Sequence, residues 1–219
     1  MNILVTAGNT QTPIDQVRCL TNIFTGRTGA RIAAAASQRG HTVTLMTSHP
    51  AEAPDVPGLK VLAYRTFDDL AGLLETHIPG GSFDTIIHCA AVSDYALAGV
   101  FATGTDQTLH DVSAGKVKSS HQELWLRLVP TPKLVDRFRE PYGFTGTLVK
   151  FKLEVGISEA ELLEVADRSR QQSRADFMVA NTLEGKDDWA LLGPVDGSYA
   201  RIDRAELNTR LMELVEVRS

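Results

Sequence analysis

Two rhythms of apolar and polar positions alternate along this chain. Asn2 to Thr6 is a short apolar run broken by Ala7-Gly8, and it predicts a strand. A polar loop with Pro13 follows. From about Thr25 the spacing turns helical, with Ile32 to Ala36 as an Ala-rich stretch; Gly40 suits the position just past the helix end. His41 to Thr47 predicts the second strand, residues 48–58 a Pro-rich loop, and Lys60 to Tyr64 a short strand. Phe67 to His77 has helical spacing opened by Asp68-Asp69, and Pro79-Gly80-Gly81 stops it. Asp84 to Ala91 reads as a buried strand of the parallel type. Residues 92–120 show no regular period, and a connection of that length is expected to be functional or mobile. Glu123 to Val129 alternates as a strand, and Pro132 opens a helix ending near Glu140. Thr147 to Leu153 predicts a strand. Ser158 begins a helix, with Glu161 completing a capping box. Asp176 to Asn181, Trp189 to Leu192 and Tyr199 to Ile202 are further strands, and Ala205 to about Val217 is an amphipathic helix. Strands alternating with helices predict an α/β fold, a doubly wound, mostly parallel sheet with helices on both faces.

Composition narrows the functional classes. A chain of 219 residues can bury one sizeable core, and no repeat, low-complexity tract or linker divides it, so residues 1–219 are expected to form one domain. A formal net charge of −5 argues against broad nucleic-acid affinity. If the ligand is a polyanion, the cations must gather at its site. The two cysteines, Cys19 and Cys89, make no disulfide framework and fit a reducing compartment, with Cys89 read as buried and inert. No basic and then apolar leader and no run of membrane-spanning length is present, so a cytoplasmic protein with no membrane partner is expected.

The candidate chemistry gathers at the first crossover. In an open parallel sheet, a loop at the carboxyl end of strand one is where ligands bind. Gly8 allows backbone to approach phosphates there, and Thr10 lies in the same turn. Thr25-Gly26 sits at the helix start, where free N–H groups and the dipole attract anions, and Arg18 and Arg27 flank it. These residues predict a nucleoside triphosphate site. Asp94 follows the Asp84–Ala91 strand and could bond ribose or help hold Mg²⁺; Ala90 and Ala91 are small enough for close packing of a nucleotide or simply of the core. No His or Cys cluster has metal-ligand spacing, and no G-x-S-x-G occurs.

The first stretch reads T-A-G-x-T-x-x-P-I-D-x-V-R-x-x-T-N-x-x-T-G-R-x-G, and it resembles the phosphopantothenate–cysteine ligase family of coenzyme A biosynthesis. Ala90-Ala91-Val92-Ser93-Asp94-Tyr95, Lys116-Val117-Lys118-Ser119, Thr131-Pro132-Lys133, Phe151-Lys152-Leu153 and Ala180-Asn181 match further family anchors in the same order. The chain is similar to the stand-alone form, without the flavin-binding decarboxylase fused to many bacterial members.

The resemblance implies a Rossmann-like dimer that joins 4′-phosphopantothenate to cysteine, with CTP (alternatively ATP) and Mg²⁺ as co-substrates. It implies Asn22 and Lys116 as catalytic residues: Asn22 at the acyl-nucleotide and Lys116 at the α-phosphate. Thr25, Gly26, Arg27 and Lys118 would contact phosphates, Arg18 and Asn22 the pantothenate substrate, and Phe151 and Asn181 the base or ribose. On local sequence alone, Asn22 is an ordinary loop asparagine, Lys116 and Lys118 are solvated lysines, and Phe151 and Asn181 fit a core or a turn as well. Two positions depart from the family pattern: Phe24 where many members carry serine, and Asn9 in place of a glycine. They keep open a non-catalytic nucleotide-binding paralogue. A nicotinamide-dependent short-chain oxidoreductase is a further alternative, disfavoured because G-x-G-x-x-G is missing and no tyrosine precedes a lysine by four.

Overall fold

The structure is a computed structural model, and it describes residues 1–218. Strand β1 (Asn2–Ala7) is followed by a small hairpin, β2 (Gln11–Pro13) and β3 (Cys19–Thr21), then helix α1 (Arg27–Gln38), β4 (Thr42–Thr47), β5 (Leu59–Ala63) and α2 (Phe67–His77). Next come β6 (Thr85–His88), β7 (Tyr95–Thr103), β8 (Leu109–Asp111), β9 (Trp125–Pro130) and β10 (Thr147–Glu154). The chain ends with α3 (Glu159–Gln172), β11 (Phe177–Thr182), β12 (Trp189–Val195), β13 (Ser198–Asp203) and α4 (Leu207–Val217).

Eight strands form the main sheet in the order β13-β12-β11-β10-β6-β1-β4-β5. The segment from β5 to β11 is parallel throughout, and β12 and β13 extend it antiparallel. Counted along the chain, the parallel strands run 3-2-1-4-5-6, the dinucleotide-binding order, and the switch point lies between β1 and β6. The fold is Rossmann-like.

Alternate residues of the central strands serve opposite layers. Ile3 and Val5 meet Ile32, Ala33 and Ala36 of α1 and Leu211, Met212 and Val215 of α4. Leu4 joins Met46, Ile86 and Leu148 against Leu70 and Leu74 of α2 and against Phe138. On β11, Met178 and Ala180 pack on Leu162 and Ala166 of α3. Helices therefore cover both faces. Two of them start with reciprocal capping boxes, Thr66 with Asp69 for α2 and Ser158 with Glu161 for α3.

Three sequence expectations differ from the fold. Residues 92–120 are not irregular: β7 and β8 lie there, and β7 pairs antiparallel with both β8 and β9 in a separate three-stranded sheet. A register shift between Leu97 and Gly99 breaks the period of two that would have revealed β7. The polar loop around Pro13 likewise carries two short strands, β2 and β3, paired antiparallel, while β9 forms where a strand is expected and belongs to the smaller sheet. The helix expected after Pro132 is only a 3-10 turn over Leu134–Arg137, and Pro141 disfavours its continuation through Glu140.

Candidate active site

The site lies at the carboxyl ends of β1 and β6. Beyond its last β1 residue the chain turns at Gly8, with φ of 87°, and Asn9 bridges in parallel to Ala91. Ala91 N donates to Gly8 O at 2.7 Å, and Thr10 N donates to Ala91 O at 3.3 Å. The two strand ends are stitched together by backbone, which opens the crevice above them.

Helix α1 begins against this stitch. Its N-cap is Gly26, with φ of 85°, and no side chain caps it. A Cβ on Gly26 would lie 2.4 Å from Gly8 N, and one on Gly29 would lie 2.6 Å from Ala7 Cβ. Gly8 makes the tight turn, Gly26 lets the helix start lie against the Gly8 backbone, and Gly29 packs the helix on β1, an arrangement similar to a dinucleotide-binding glycine motif. The motif is invisible as a contiguous string because the β2–β3 hairpin is inserted after its first glycine. With α2 and α3 capped by their own side chains, α1 alone of these three presents a first turn whose N–H groups no side chain caps.

The hairpin joins this cradle to a second group of residues. At its base, Thr21 Oγ1 donates to Thr10 O at 3.1 Å, Asn22 Nδ2 donates to Ala91 O at 3.1 Å, and Asn9 Nδ2 donates to Asn22 O at 2.5 Å. Asn22 is exposed, and its amide has a second N–H to offer. At the hairpin tip, Arg18, Lys116 and Lys118 line one open cavity of about 400 Å³ together with Val17, Val117, Ser119 and Ser120.

The remaining sequence candidates are placed as follows. Thr10 is fully buried, and its hydroxyl accepts from Ser93 N at 2.8 Å, so it braces the crevice wall. Thr25 is half-buried beside Gly26. Arg27 is exposed and donates from Nε to Glu52 at 3.3 Å. Ala90 is half-buried, and its N–H donates to Thr6 Oγ1 at 3.3 Å. Asp94 is exposed and paired with Lys133 Nζ at 2.5 Å. Phe151 packs against the core under α1 and α4, and Asn181 is nearly buried in β11. Asn9 needs no positive φ; it latches the turn through its side chain, with Ser48 Oγ donating to Oδ1 at 3.1 Å.

For a metal, Asp94 is the one carboxylate among these candidates, and no group of three or more His, Cys, Asp or Glu residues among the described residues could hold an ion. That donor set fits Mg²⁺ only as an ion carried largely by substrate phosphates, the usual manner for this cation.

Four contributors escaped the sequence reading. Asp15, at the hairpin tip, accepts from Arg18 Nη2 at 2.5 Å, and that guanidinium, followed by the Val17 amide, holds its carboxyl well below the usual range. Arg204, just after β13, donates from Nη2 to Thr28 Oγ1 at 2.5 Å and adds positive charge to the first turn of α1. It comes from the far end of the chain, and no local pattern marks it. His88 ends β6; burial first, and then the Lys150 charge, pushes it down to about 3. Thr6 Oγ1 lies 2.9 Å from its Nδ1 while accepting from Ala90 N, an arrangement suited to a neutral ring. Lys150 donates to Ser169 O at 2.8 Å, and burial lowers it to about 8. Burial also pushes the Cys89 thiol up to about 12, so it is protonated and unreactive.

The sequence matches the family described as DNA/pantothenate metabolism flavoprotein C-terminal domain over residues 1–193. The coenzyme A biosynthesis bifunctional protein CoaBC of Thermococcus kodakarensis is 34% identical over 223 residues, covering 98% of this chain and 50% of that protein. The chain thus spans about half the length of the curated relatives it matches. Among solved structures, the DNA/pantothenate metabolism flavoprotein from Streptococcus pneumoniae superposes with a TM-score of 0.85 at 25% identity, over 100% of both chains. The C-terminal domain of a CoaBC protein gives 0.72 at 21% identity, over 99% of this chain and 94% of that one, and shares the fold. This chain belongs to the family of the DNA/pantothenate metabolism flavoprotein C-terminal domain.

Proposed function

We propose that the protein is a ligase that joins 4′-phosphopantothenate to L-cysteine through an acyl-nucleotide. The observation that carries this reading is the junction at Ala91: Gly8, against which the uncapped start of α1 packs, and the exposed amide of Asn22 both bond to that residue's backbone. A phosphate cradle and an amide donor on one rim suit chemistry at an α-phosphate and at the acyl group it activates. Membership of the family and the likeness to coenzyme A biosynthesis proteins support the same substrates.

In the first step a carboxylate oxygen of phosphopantothenate attacks the α-phosphorus of CTP or ATP, and the bond to the β-phosphate breaks to release pyrophosphate. Gly8, Gly26 and the α1 amides hold the phosphates, with Thr25 and Arg27 at the helix start. Lys116 stabilises the charge that develops on the leaving group, and Lys118 adds to the positive field. Arg18 receives the anionic pantothenate substrate. In the second step the cysteine amine attacks the acyl carbon, the acyl–phosphate C–O bond breaks, and the nucleoside monophosphate departs. The free N–H of Asn22 donates to the oxyanion formed in that attack. Phe151 and Asn181 bound the nucleotide's base and ribose end. Mg²⁺, carried on the phosphates, would screen their charge, with Asp94 as the protein carboxylate able to hold it.

The acting unit is one domain over residues 1–219 in a cytoplasmic homodimer. The smaller sheet is the contact favoured for the dimer, since it exposes the large apolar side chains Tyr95, Leu109, Trp125 and Leu128. Among the described residues no helix is long and apolar enough to cross a membrane. The test is pyrophosphate release from CTP or ATP that depends on phosphopantothenate, followed by amide formation on adding cysteine.

A further inference from the structure

We propose that Asp15 is the positioning residue of the Lys116 loop, a single carboxylate that sets both Arg18 and the backbone carrying Lys116. This rests on the reading of Lys116 as the residue that assists pyrophosphate departure. Asp15 lies at the tip of a surface hairpin, yet its side chain has 0% exposure. Its Oδ1 accepts from Val17 N at 2.9 Å and from Arg18 N at 2.8 Å. Its Oδ2 accepts from Arg18 Nη2 at 2.5 Å, from Arg18 Nε at 3.0 Å, and from Val117 N at 3.0 Å. Its acceptor sites are thus filled by donors from two segments that lie about a hundred residues apart in the chain.

The grip on the loop is two-sided. Arg18 Nη2 also donates to Val117 O at 2.6 Å, and Gln16 N donates to Gly115 O at 3.0 Å, so the residues on each side of Lys116 are tied to the hairpin. Val117 is 2% exposed, whereas Lys116 and Lys118 are exposed along the cavity. The lysines therefore extend from an anchored backbone in a Gly- and Ser-rich stretch that would otherwise sample many conformations. The same hairpin carries Asn22 at its base, so one small element registers the cationic loop against the cradle.

The experiment uses the full chain. Exchange of the Val117 amide is measured by NMR in wild type, Asp15→Ala and the isosteric Asp15→Asn. Pyrophosphate release in single turnover is measured for the same variants with and without Lys116→Ala. Asp15→Ala is expected to speed Val117 exchange at least tenfold. It should lower the release rate by about 10–100-fold, the size of effect that displacing a reacting group produces, while nucleotide KM stays within about twofold. With phosphopantothenate saturating, so that displacement of Arg18 shows only in the KM for that substrate, it should lower the residual rate of the Lys116→Ala background no further, because its effect on release runs through that lysine. Asp15→Asn, which keeps one acceptor oxygen, should fall between. Unchanged Val117 exchange, or an equal fall in both backgrounds, would overturn the proposal. A wild-type rate for Lys116→Ala alone would instead refute the role given to Lys116, and Val117 exchange then decides the anchoring by itself.

Discussion

Gly26 faces Gly8 so closely that a Cβ on Gly26 would lie 2.4 Å from the Gly8 amide nitrogen and 2.8 Å from its Cα. Gly26→Ala therefore meets both a backbone clash and a φ of 85°. It should cost about 1–3 kcal/mol from the backbone conformation alone and push α1 away from β1. Gly40→Ala is the control: φ is 86° there, but nothing lies within 4 Å of the added Cβ. Both variants should lower the thermal midpoint, and only Gly26→Ala should weaken CTP and ATP binding in a titration, by at least about tenfold.

Asn22→Ala separates the two chemical steps. The amide's removal should leave pyrophosphate release largely intact and slow attack by cysteine by about 10²–10³-fold, the usual cost of one oxyanion donor. Acyl-nucleotide should then accumulate and be visible by mass spectrometry after a quench. Wild-type turnover to the amide product would show that Asn22 has no such role.

His88 gives the fold an acid sensitivity. Its folded value is pushed down to about 3, against an unfolded value near 6.5. Between these values the unfolded chain takes up a proton that the native state refuses. Stability is therefore full above pH 6.5 and falls as pH drops toward 3, by about 1.4 kcal/mol per pH unit and about 2 kcal/mol at pH 5. Denaturant midpoints recorded from pH 7.5 to 4.5 should show this slope, and His88→Gln should flatten it. Glu216, which Arg39 and then His41 hold down to about 2, keeps its full stabilisation across this measured range and loses it only as pH falls below its unfolded value near 4.5.

The three-stranded sheet is expected to be the dimer contact. Solution scattering at micromolar concentration should give twice the 23.8 kDa chain mass. Trp125→Glu combined with Leu128→Lys should return it to one. A monomeric wild type would remove the dimer from the account.

Much of the main sheet is legible in the sequence because its strands and helices keep their periods. The run from Thr85 to His88 is buried on both sides, and the Ser158–Glu161 box marks the start of α3 to the residue. The strand β7 is hidden because Gly99 and its bulge reset the alternation. The glycine motif is hidden because hairpin β2–β3 separates Gly8 from Gly26. Arg18 and Lys116 could be named from motifs, but their shared cavity depends on Asp15 reaching Val117, a contact between distant segments that no local pattern encodes. Arg204 approaches α1 from the chain's end and is equally silent in the sequence.

In the proposed reaction the cradle at α1 and the cations of the Lys116 loop together activate a carboxyl group with a nucleotide. The most direct measurement is pyrophosphate release by the purified protein given 4′-phosphopantothenate and either CTP or ATP, before and after cysteine is added, alongside Lys116→Ala. Release should require phosphopantothenate, conversion to the amide should follow once cysteine is present, and the variant should lose release by at least about 10²-fold. Nucleotide binding with no phosphopantothenate-dependent pyrophosphate would contradict the proposed reaction.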